Sequence, residues 1–368
     1  MRILLFISRS DTIAGAQRNV LDLAEAFIET GHTVLVVAGS DGNELGEVCS
    51  TRGLEFKNLE YLEGSIRPAG LRRAALEFGK VVEAFQPDVV HSHSFAAGIL
   101  GRLVPRGVAK VFTAHGWTFT EGTPALHRVI GLATEYALRL SGAHVLTVSR
   151  SDYHLGRRLR VTPANRLHHV PYGIPDLDGV RFKGSRTPRS GIRFAMVARF
   201  EAQKDHRTAI QALGLVKDLP VTIDFVGDGP LLPAMKRLAK QTGVEHMANF
   251  VGYTRHVDSY LHAADAFLLV TNYEGLPLSI MEALRMDLPV LATGVGGIPE
   301  MIDDGKSGYI LERRNPQQVA NCIRRIATDS GWLARSTGRS RVIYEMNYRR
   351  EIMAERVLKA YNHARGVL

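Results

Sequence analysis

Short apolar runs alternate with amphipathic stretches along almost the whole chain. The segment 16–30 has helical periodicity and ends at Gly31. In the first half, strand-sized apolar runs lie at 3–8, 32–38, 88–93, 110–115 and 143–148. Short apolar runs separated by helices are typical of parallel strands that are buried on both faces of a sheet. The pattern therefore predicts an α/β fold built on a doubly wound parallel sheet.

The alternation stops once and then starts again. Residues 175–191 are rich in Asp, Gly, Lys, Arg, Pro and Ser and show no periodicity, which is typical of a linker. New strand-sized runs follow at 193–197, 221–226, 265–271 and 289–293. Because 368 residues exceed the usual size of one domain, we expect two Rossmann-like domains, 1–175 and 176–347. Periodicity does not define where the last amphipathic segment, 348–368, packs.

The formal net charge is +9, which raises the question of an anionic partner. Basic residues are mixed with acidic ones, with a local excess at 157–160 and in 335–365. These clusters lack interleaved aromatic residues, and the chain shows no helix-turn-helix or RRM pattern, so no nucleic acid is expected. The charge fits either a solvated cationic surface or attraction to an anionic membrane face.

The apolar runs and the two cysteines indicate the cellular compartment. The apolar start 1–7 is not followed by a small-residue cleavage site, which favours a buried strand over a signal peptide. No apolar run has the length of a spanning helix. Cys49 and Cys322 match no metal or redox spacing, which is typical of a reducing cytosol. We expect a cytoplasmic protein, with peripheral attachment to the inner face of the membrane as an alternative.

The most informative motif is the segment 271–283. A strand ends there in a loop that contains Glu274, and Pro277 is predicted near the first position of a helix. The free amides around Leu278 and Ser279 would suit a phosphate at the positive end of the helix dipole. Glu274 and Glu282 could accept hydrogen bonds from sugar hydroxyls. Taken singly, either glutamate could also be an ordinary loop or surface-helix residue.

Cations and glycines follow other predicted strands of the second half. Arg199 and Lys204 emerge after the run 193–197, at the edge where open α/β sheets bind ligands. They could neutralise a diphosphate, or they could be solvated surface cations. The glycine-rich turns at 227–230 and 294–297 either let the backbone approach a ligand or simply turn the chain.

The first half holds a glycine loop and three histidines at strand ends. Gly15 lies between the first strand and the first helix and could place amides near a phosphate, but the G-x-G-x-x-G fingerprint is absent, which argues against hydride transfer. His91 and His93 face the same side of a strand, without a third metal ligand at a recognisable spacing. His115 ends another strand and could bond a sugar hydroxyl or a phosphate.

Together these residues resemble the family-4 (group 1) retaining glycosyltransferases, whose GT-B fold has two Rossmann-like domains facing a central cleft. The resemblance extends from the Gly15 loop to the final helix. Its most specific part is the Glu-x7-Glu segment, Glu274 to Glu282, with Arg199 and Lys204 upstream. The turn 227–230, the segment 250–252 and the glycine pair 296–297 then follow the order of the family.

The resemblance implies a hexosyltransferase that uses a nucleotide-diphosphate sugar and needs no metal or other cofactor. Arg199 and Lys204 would contact the diphosphate, Glu282 the ribose, and Glu274 the sugar hydroxyls. The catalytic set it implies is His115, Arg199, Lys204 and Glu274. The donor-binding set it implies is Gly15, Arg199, Lys204, Gly227, Val251, Gly252, Tyr253, Glu274, Gly275, Leu276, Leu278, Ser279 and Glu282. The last helix would pack back onto the first domain.

The resemblance also suggests substrates and shows departures. The segment 113–123 resembles bacterial exopolysaccharide and capsule enzymes, whose acceptors are often lipid-linked sugars, and the loops 64–73 and 116–123 would contact the acceptor. UDP is the expected nucleotide, with GDP as the rival. The departures from the family pattern are Ala14 for Gly, Tyr172 for Asn, Asp205 after Lys204, and Asp287 near a helix end.

Two other classes of function compete with transfer. A GT-B epimerase or hydrolase would share the diphosphate site, and a phosphorylase would need a pyridoxal-phosphate lysine and a longer chain. A non-catalytic nucleotide-sugar-binding protein of a polysaccharide assembly complex would bind a donor without turnover. The ordered glutamate motif favours transfer over both, since Arg199, Lys204, Glu274 and Glu282 are all present.

Overall fold

The computed structural model describes residues 1–62, 68–120, 122–177, 191–329 and 331–367. The chain forms two compact units: unit 1 is Met1–Pro175 with Tyr348–Leu368, and unit 2 is Asp176–Asn347. Most of the predicted linker 175–191, and parts of the predicted acceptor loops 64–73 and 116–123, lie outside the described residues. Within the described residues, no helix combines the length and the apolar character that crossing a membrane requires.

Unit 1 contains a seven-stranded, fully parallel sheet with the strand order 3-2-1-4-5-6-7. Its strands are β1 (Arg2–Ile7), β2 (Thr33–Gly39), β3 (Glu55–Leu59), β4 (Val89–His93), β5 (Ala109–Ala114), β6 (His144–Thr147) and β7 (Leu167–His169). Its helices up to the end of β7 are α1 (Gly15–Glu29), α2 (Glu44–Thr51), α3 (Pro68–Phe85), α4 (Phe95–Arg102), α5 (Ala125–Leu138) and α6 (Arg150–Leu159).

The sheet of unit 1 is covered on both faces. Along β1, Ile3 and Leu5 belong to the apolar cluster that includes α1, whereas Leu4 and Phe6 belong to the cluster that includes α3 and α4. Successive side chains of a strand point to opposite faces, so an uninterrupted apolar strand needs helices on both sides. This confirms the predicted doubly wound α/β architecture.

Unit 2 repeats the architecture with a six-stranded parallel sheet of order 10-9-8-11-12-13. Its strands are β8 (Ile192–Val197), β9 (Val221–Val226), β10 (Ala248–Gly252), β11 (Ala266–Leu269), β12 (Val290–Thr293) and β13 (Gly308–Leu311). Its helices are α7 (His206–Gly214), α8 (Leu232–Thr242), α9 (Val257–Ala263), α10 (Leu278–Arg285), α11 (Pro316–Thr328), α12 (Trp332–Ser336) and α13 (Arg339–Asn347).

The last helix, α14 (Arg350–Ala364), packs on the sheet of unit 1. Met353, Val357 and Tyr361 are buried in the same apolar cluster as Ile3 and Leu5. Backbone hydrogen bonds join the start of this helix to the segment after β7. The Ile174 amide donates to the Tyr348 carbonyl (2.9 Å) and the Arg350 amide to the Ile174 carbonyl (3.0 Å).

Two details differ from the sequence-based expectations. Strands β3, β7, β10 and β13 were not predicted, and each lies at an edge of its sheet. Pro277 was predicted near the first position of a helix, and its extended conformation (φ −73°, ψ 123°) places it one residue before that position, at the N-cap of α10. A proline at this position still fits, because its missing amide is one that the helix would leave unpaired.

Candidate functional site

In unit 2, the loops that leave the carboxyl ends of β8 and β11 converge because these strands are neighbours in the sheet. Lys204 lies in the first loop and Glu274 in the second, and the Lys204 ammonium forms an ion pair with Glu274 Oε1. The exposed fraction is 18% for the Lys204 side chain and 7% for the Glu274 side chain. The Thr271 hydroxyl donates to the same carboxylate oxygen at 2.9 Å. The structure thus holds the carboxylate in one orientation.

The backbones of the same two loops are tied together around this ion pair. The Asn272 amide donates to the Gln203 carbonyl (2.8 Å) and the Asp205 amide to the Val270 carbonyl (3.0 Å). The Gln203 side chain donates to the Tyr273 carbonyl at 2.7 Å. These hydrogen bonds join residues next to both partners of the ion pair, so the two loops hold each other in place.

Glycines let neighbouring turns approach these loops closely. Gly227 has φ 144°, and a Cβ there would overlap the Ala198 carbonyl oxygen. Gly296 has φ 56°, and a Cβ there would overlap the Glu274 carbonyl oxygen. The Gly297 amide donates to the Gly275 carbonyl at 2.8 Å. Both glycines are therefore required by backbone geometry as well as by space.

The segment 251–253, which was predicted to contact the base, lies at the same strand-end edge of the unit 2 sheet. The Gly227 amide donates to the Gly252 carbonyl at 2.9 Å, which brings the end of β10 beside the turn after β9. Val251 is half-buried, and the Tyr253 side chain is exposed. An exposed aromatic ring next to free backbone is a surface on which a planar base can stack.

The helix α10 begins just after the Glu274 loop. The amides of Leu278 and Ser279 donate to no acceptor within the described part of the chain, so the N-terminus of α10 presents unpaired donors and the positive end of its dipole. Glu282 lies one turn further on and is buried. It is therefore not a surface-helix residue, and an ionised carboxylate at such a position needs polar partners.

Arg199 has a different environment from Lys204. Its side chain is 74% exposed and forms an ion pair with Glu201, at 2.8 Å between Nη2 and Oε1. An exposed ion pair of this kind contributes little to stability, so the guanidinium can exchange Glu201 for another anion at little cost.

In unit 1, the strand-end histidines form a chain of ring contacts. His93 Nδ1 and His115 Nε2 are hydrogen-bonded at 3.0 Å, and His115 Nδ1 is hydrogen-bonded to the Tyr172 hydroxyl. His91 lies beside His93, with 4.1 Å between ring centroids, and bonds the hydroxyls of Tyr361 and Thr113 at 2.7 Å each. His91 and His93 are thus packed inside unit 1.

Burial keeps these imidazoles neutral. It lowers the pKa of His91 to about 3 and that of His115 to about 3, and it lowers the pKa of His93 well below its usual range. For His91 and His93, the neighbouring histidines lower the pKa further. A neutral imidazole can donate through one nitrogen and accept through the other. Both nitrogens of His115 already have partners, His93 and Tyr172, so a ligand that bonds this partly buried ring must displace one of them.

The remaining predicted residue of unit 1, Gly15, is the first residue of α1. Its preceding residue, Ala14, has no side chain that could cap the helix, and no side-chain cap is formed. The N-terminus of α1 therefore offers backbone donors to an external anion.

The structure adds two residues that the motif search did not select. The Thr271 hydroxyl hydrogen-bonds Glu274 Oε1. Its position just after an apolar strand is the sequence signal that could have identified it. Tyr172 contacts His115, although it had been noted only as a departure from the family pattern. Its role depends on a tertiary contact between residues 57 positions apart, which no local sequence pattern reports.

Two family models match the chain. The model described as Glycosyltransferase Family 4 matches residues 13–176, and the model described as Glycosyl transferases group 1 matches residues 181–342. The chain therefore belongs to the family-4, group 1 glycosyltransferases. It is an enzyme of the transferase class.

Individual proteins agree with this assignment. WcaL of Salmonella typhimurium, named as a colanic acid biosynthesis glycosyltransferase, is 27% identical over 349 residues, which cover 82% of this chain and 85% of WcaL. The UDP-Gal:α-D-GlcNAc-diphosphoundecaprenol α-1,3-galactosyltransferase of Escherichia coli is 24% identical over 300 residues, covering 73% of this chain and 77% of that one. The crystal structure of HepE from Anabaena in complex with UDP superposes with a TM-score of 0.82 at 15% identity, covering 99% of this chain and 100% of HepE. The fold is GT-B.

Proposed function

We propose that the protein is a retaining glycosyltransferase that moves a hexose-type sugar from a UDP-sugar to a saccharide or lipid-linked saccharide in bacterial surface-polysaccharide synthesis. The observation on which this proposal rests is the Lys204–Glu274 ion pair, which lies directly before a helix with unpaired N-terminal amides. A cation, a fixed carboxylate and free amides at the strand ends of one sheet suit a sugar diphosphate.

The relatives support the finer parts of the proposal. HepE was crystallised with UDP, WcaL is named for colanic acid biosynthesis, and the E. coli relative is named for a diphosphoundecaprenol-linked acceptor. A lipid-linked acceptor would place the reaction at the cytoplasmic face of the membrane.

The described contacts suggest a role for each group. Lys204, Arg199 and the amides of Leu278 and Ser279 would stabilise the diphosphate, while Glu274 would accept hydrogen bonds from the transferred sugar. Glu282 would meet the ribose, and the exposed ring of Tyr253 the base. In unit 1, the neutral His115 would bond a hydroxyl of the sugar, and Gly15 would approach the phosphates.

The proposed reaction proceeds on one face of the sugar. The bond between the anomeric carbon and the diphosphate oxygen breaks, and negative charge accumulates on that oxygen. The same oxygen accepts the proton of the acceptor hydroxyl, whose oxygen forms the new glycosidic bond on the same face. Lys204, Arg199 and the α10 amides supply the positive charge that the leaving group needs, so we propose that no metal ion is required.

The first test is nucleotide release from a panel of UDP-, GDP- and ADP-sugars, with and without EDTA, in the presence of short oligosaccharide acceptors. We expect release from UDP-sugars that is unaffected by EDTA. The anomeric configuration of the product, read by NMR, tests retention. Glu282→Gln should abolish release, whereas Glu245→Gln, an exposed glutamate of the same unit, should not.

Each part of the proposal has its own contrary result. Release only from GDP-sugars would contradict UDP as the donor nucleotide. Loss of activity with EDTA would contradict the metal-independent route, and an inverted product would contradict retention. Donor binding by calorimetry without turnover under any condition would favour the binding-only protein.

A further inference from the structure

The helix α5 carries an apolar stripe that nothing in the described chain covers. At 3.6 residues per turn, positions 126, 129, 130 and 136 fall within a sector of about 120° of the helix, and Leu140 lies in the turn after it. These residues and their exposed fractions are Leu126 (69%), Val129 (67%), Ile130 (49%), Tyr136 (44%) and Leu140 (92%). Exposed apolar patches on soluble proteins often mark interaction sites.

The opposite face of α5 is firmly attached to unit 1. Glu135 forms a buried two-point ion pair with Arg102, at 2.6 Å and 2.9 Å between guanidinium nitrogens and carboxylate oxygens. A Cβ at Gly131 would overlap the Thr118 hydroxyl, so the helix backbone lies directly on the loop after His115. The apolar stripe is therefore presented on a fixed element.

Exposed cations lie along α5 and at the end of α6. The segment 122–160 contains six arginines and only two acidic residues, Glu135 and Asp152, and both acids are buried. The Tyr136 hydroxyl donates to the Leu159 carbonyl at 2.7 Å, which joins α5 to the cationic end of α6. Exposed arginines that form no ion pair with the described residues are Arg128, Arg139, Arg157, Arg158 and Arg160.

We propose that this face of α5, with the arginines at the end of α6, docks unit 1 onto an anionic lipid bilayer. The apolar side chains would enter the region between headgroups and acyl chains, and the arginines would bind lipid phosphates. A second copy of the chain fits less well, because a two-fold interface would bring the same uncompensated arginines together.

The proposal deepens the proposed function and rests on it for its purpose. A lipid-linked acceptor keeps its diphosphate at the membrane surface, and α5 contacts Thr118, three residues after the candidate residue His115. Docking through α5 would hold the acceptor-side loop beside the headgroups, where such an acceptor lies.

The test is cosedimentation of the full chain with vesicles. Wild-type protein should bind phosphatidylcholine vesicles that contain phosphatidylglycerol and should not bind pure phosphatidylcholine, and binding should weaken as salt is added. The variant Leu126→Gln/Val129→Gln/Ile130→Gln should bind about tenfold more weakly or worse, because three apolar insertions are lost. Arg157→Gln/Arg158→Gln should weaken binding by about tenfold or more.

Matched controls come from exposed residues of the same unit. Leu76→Gln/Leu103→Gln removes two exposed leucines, and Lys57→Gln/Lys80→Gln removes two exposed cations that lie outside the predicted acceptor loops. Both controls should bind as wild type does. Circular dichroism checks that every variant is folded, and nucleotide release with a water-soluble acceptor should be unchanged in all of them.

The possible results separate this proposal from the proposed function. Absence of binding to anionic vesicles, or equal loss in the stripe and control variants, overturns the docking surface even if transfer proceeds. A dimer that dissociates only in the α5 variants, with no vesicle binding, also overturns it in favour of self-association. Vesicle binding that depends on α5 in a protein without transferase activity would support the surface and contradict the proposed function.

Discussion

The two units share one sheet architecture but differ in the polar groups at their strand ends. In unit 2, Lys204 and Glu274 form an ion pair, and Arg199 is an exposed cation. In unit 1, His93 ends β4 and His115 follows β5, and burial lowers the pKa values of both far below neutrality. The same fold thus supports a charged surface in one unit and a neutral hydrogen-bonding chain in the other.

This difference separates two tasks of a transferase. In the proposed reaction, the departing diphosphate would take its positive charge from unit 2, and a sugar hydroxyl would need donors and acceptors of fixed direction, which neutral imidazoles can supply. Because the rings of unit 1 contact one another and hydrogen-bond to the hydroxyls of Thr113, Tyr172 and Tyr361, their directions are set by these contacts. The loops of unit 2 are set instead by backbone hydrogen bonds around one ion pair.

The strongest challenge to this comparison is removal of the unit 2 ion pair. Lys204→Met should lower kcat/KM by about a hundredfold to a thousandfold, because it removes charge from the leaving group and leaves Glu274 unpaired. Arg207→Met removes an exposed cation three residues away and is the control. Steady-state nucleotide release measures both. Activity of Lys204→Met within threefold of wild type would contradict the role of the pair.

A double variant shows how the two partners work. If Lys204 served only to hold Glu274, then Lys204→Met/Glu274→Gln would be no worse than Glu274→Gln alone. We expect a further loss of at least tenfold, because the proposed function also places the lysine at the diphosphate.

The neutral chain of unit 1 predicts a pH dependence of stability. The unfolded chain protonates His91 near pH 6.5, whereas the folded protein does so only near its pKa of about 3. The unfolding free energy should therefore fall as the pH is lowered through this window, by about 1.4 kcal/mol per pH unit for one such histidine. Urea unfolding between pH 7 and pH 4 measures it.

Comparison with His91→Gln isolates this contribution from the other groups. Asp22 acts in the opposite direction, because burial raises its pKa to about 6, but it is common to wild type and variant. The variant should show a shallower slope, while His154→Gln, an exposed histidine, should retain the wild-type slope. Equal slopes in all three proteins would show that folding does not lower the pKa of His91.

Removal of one hydroxyl in each unit sharpens the comparison. Tyr172→Phe should lower kcat/KM by about tenfold, because His115 Nδ1 loses its only described partner and with it a fixed ring orientation. Tyr153→Phe is the control within the same unit. An unchanged kcat/KM in Tyr172→Phe would show that packing alone positions His115.

The matching change in unit 2 should have the smallest effect. Thr271→Val removes the hydrogen bond to Glu274 Oε1, but the carboxylate keeps Lys204 as its partner. We expect a loss of about threefold in kcat/KM and about 1 kcal/mol of stability. A loss larger than that of Tyr172→Phe would mean that the ion pair alone does not orient Glu274.

The sequence predicted the interior of each sheet and missed the edges. Runs such as 3–8 and 221–226 are continuously apolar because helices cover both of their faces. Edge strand β3, Glu-Phe-Lys-Asn-Leu, alternates exposed and half-buried positions, and β7 has only three residues. Edge strands are paired on one side only, so their composition carries a weaker signal.

The candidate site divides in a similar way. Glu274, Lys204 and the α10 N-terminus follow strands directly, so their convergence at one sheet edge could be predicted. The contacts of His115 with His93 and Tyr172 depend on how side chains from β4, β5 and the chain after β7 pack, and nothing in the local pattern reports that packing. Asp287 shows the same limit: the sequence indicated only a departure near a helix end, whereas the residue has a positive φ of 55° and its carboxylate accepts from the amides of Gly338 and Arg341.

The return of α14 to unit 1 has a consequence for the order in which the chain is made. The ribosome synthesises all of unit 2 before it releases Val357 and Tyr361, which cover the row of Ile3 and Leu5. Until then, the nascent first sheet lacks one of its covering helices and exposes an apolar face. Unit 2 is a single uninterrupted segment and can close as soon as it emerges, so the half of the enzyme that is translated first is the half that is finished last.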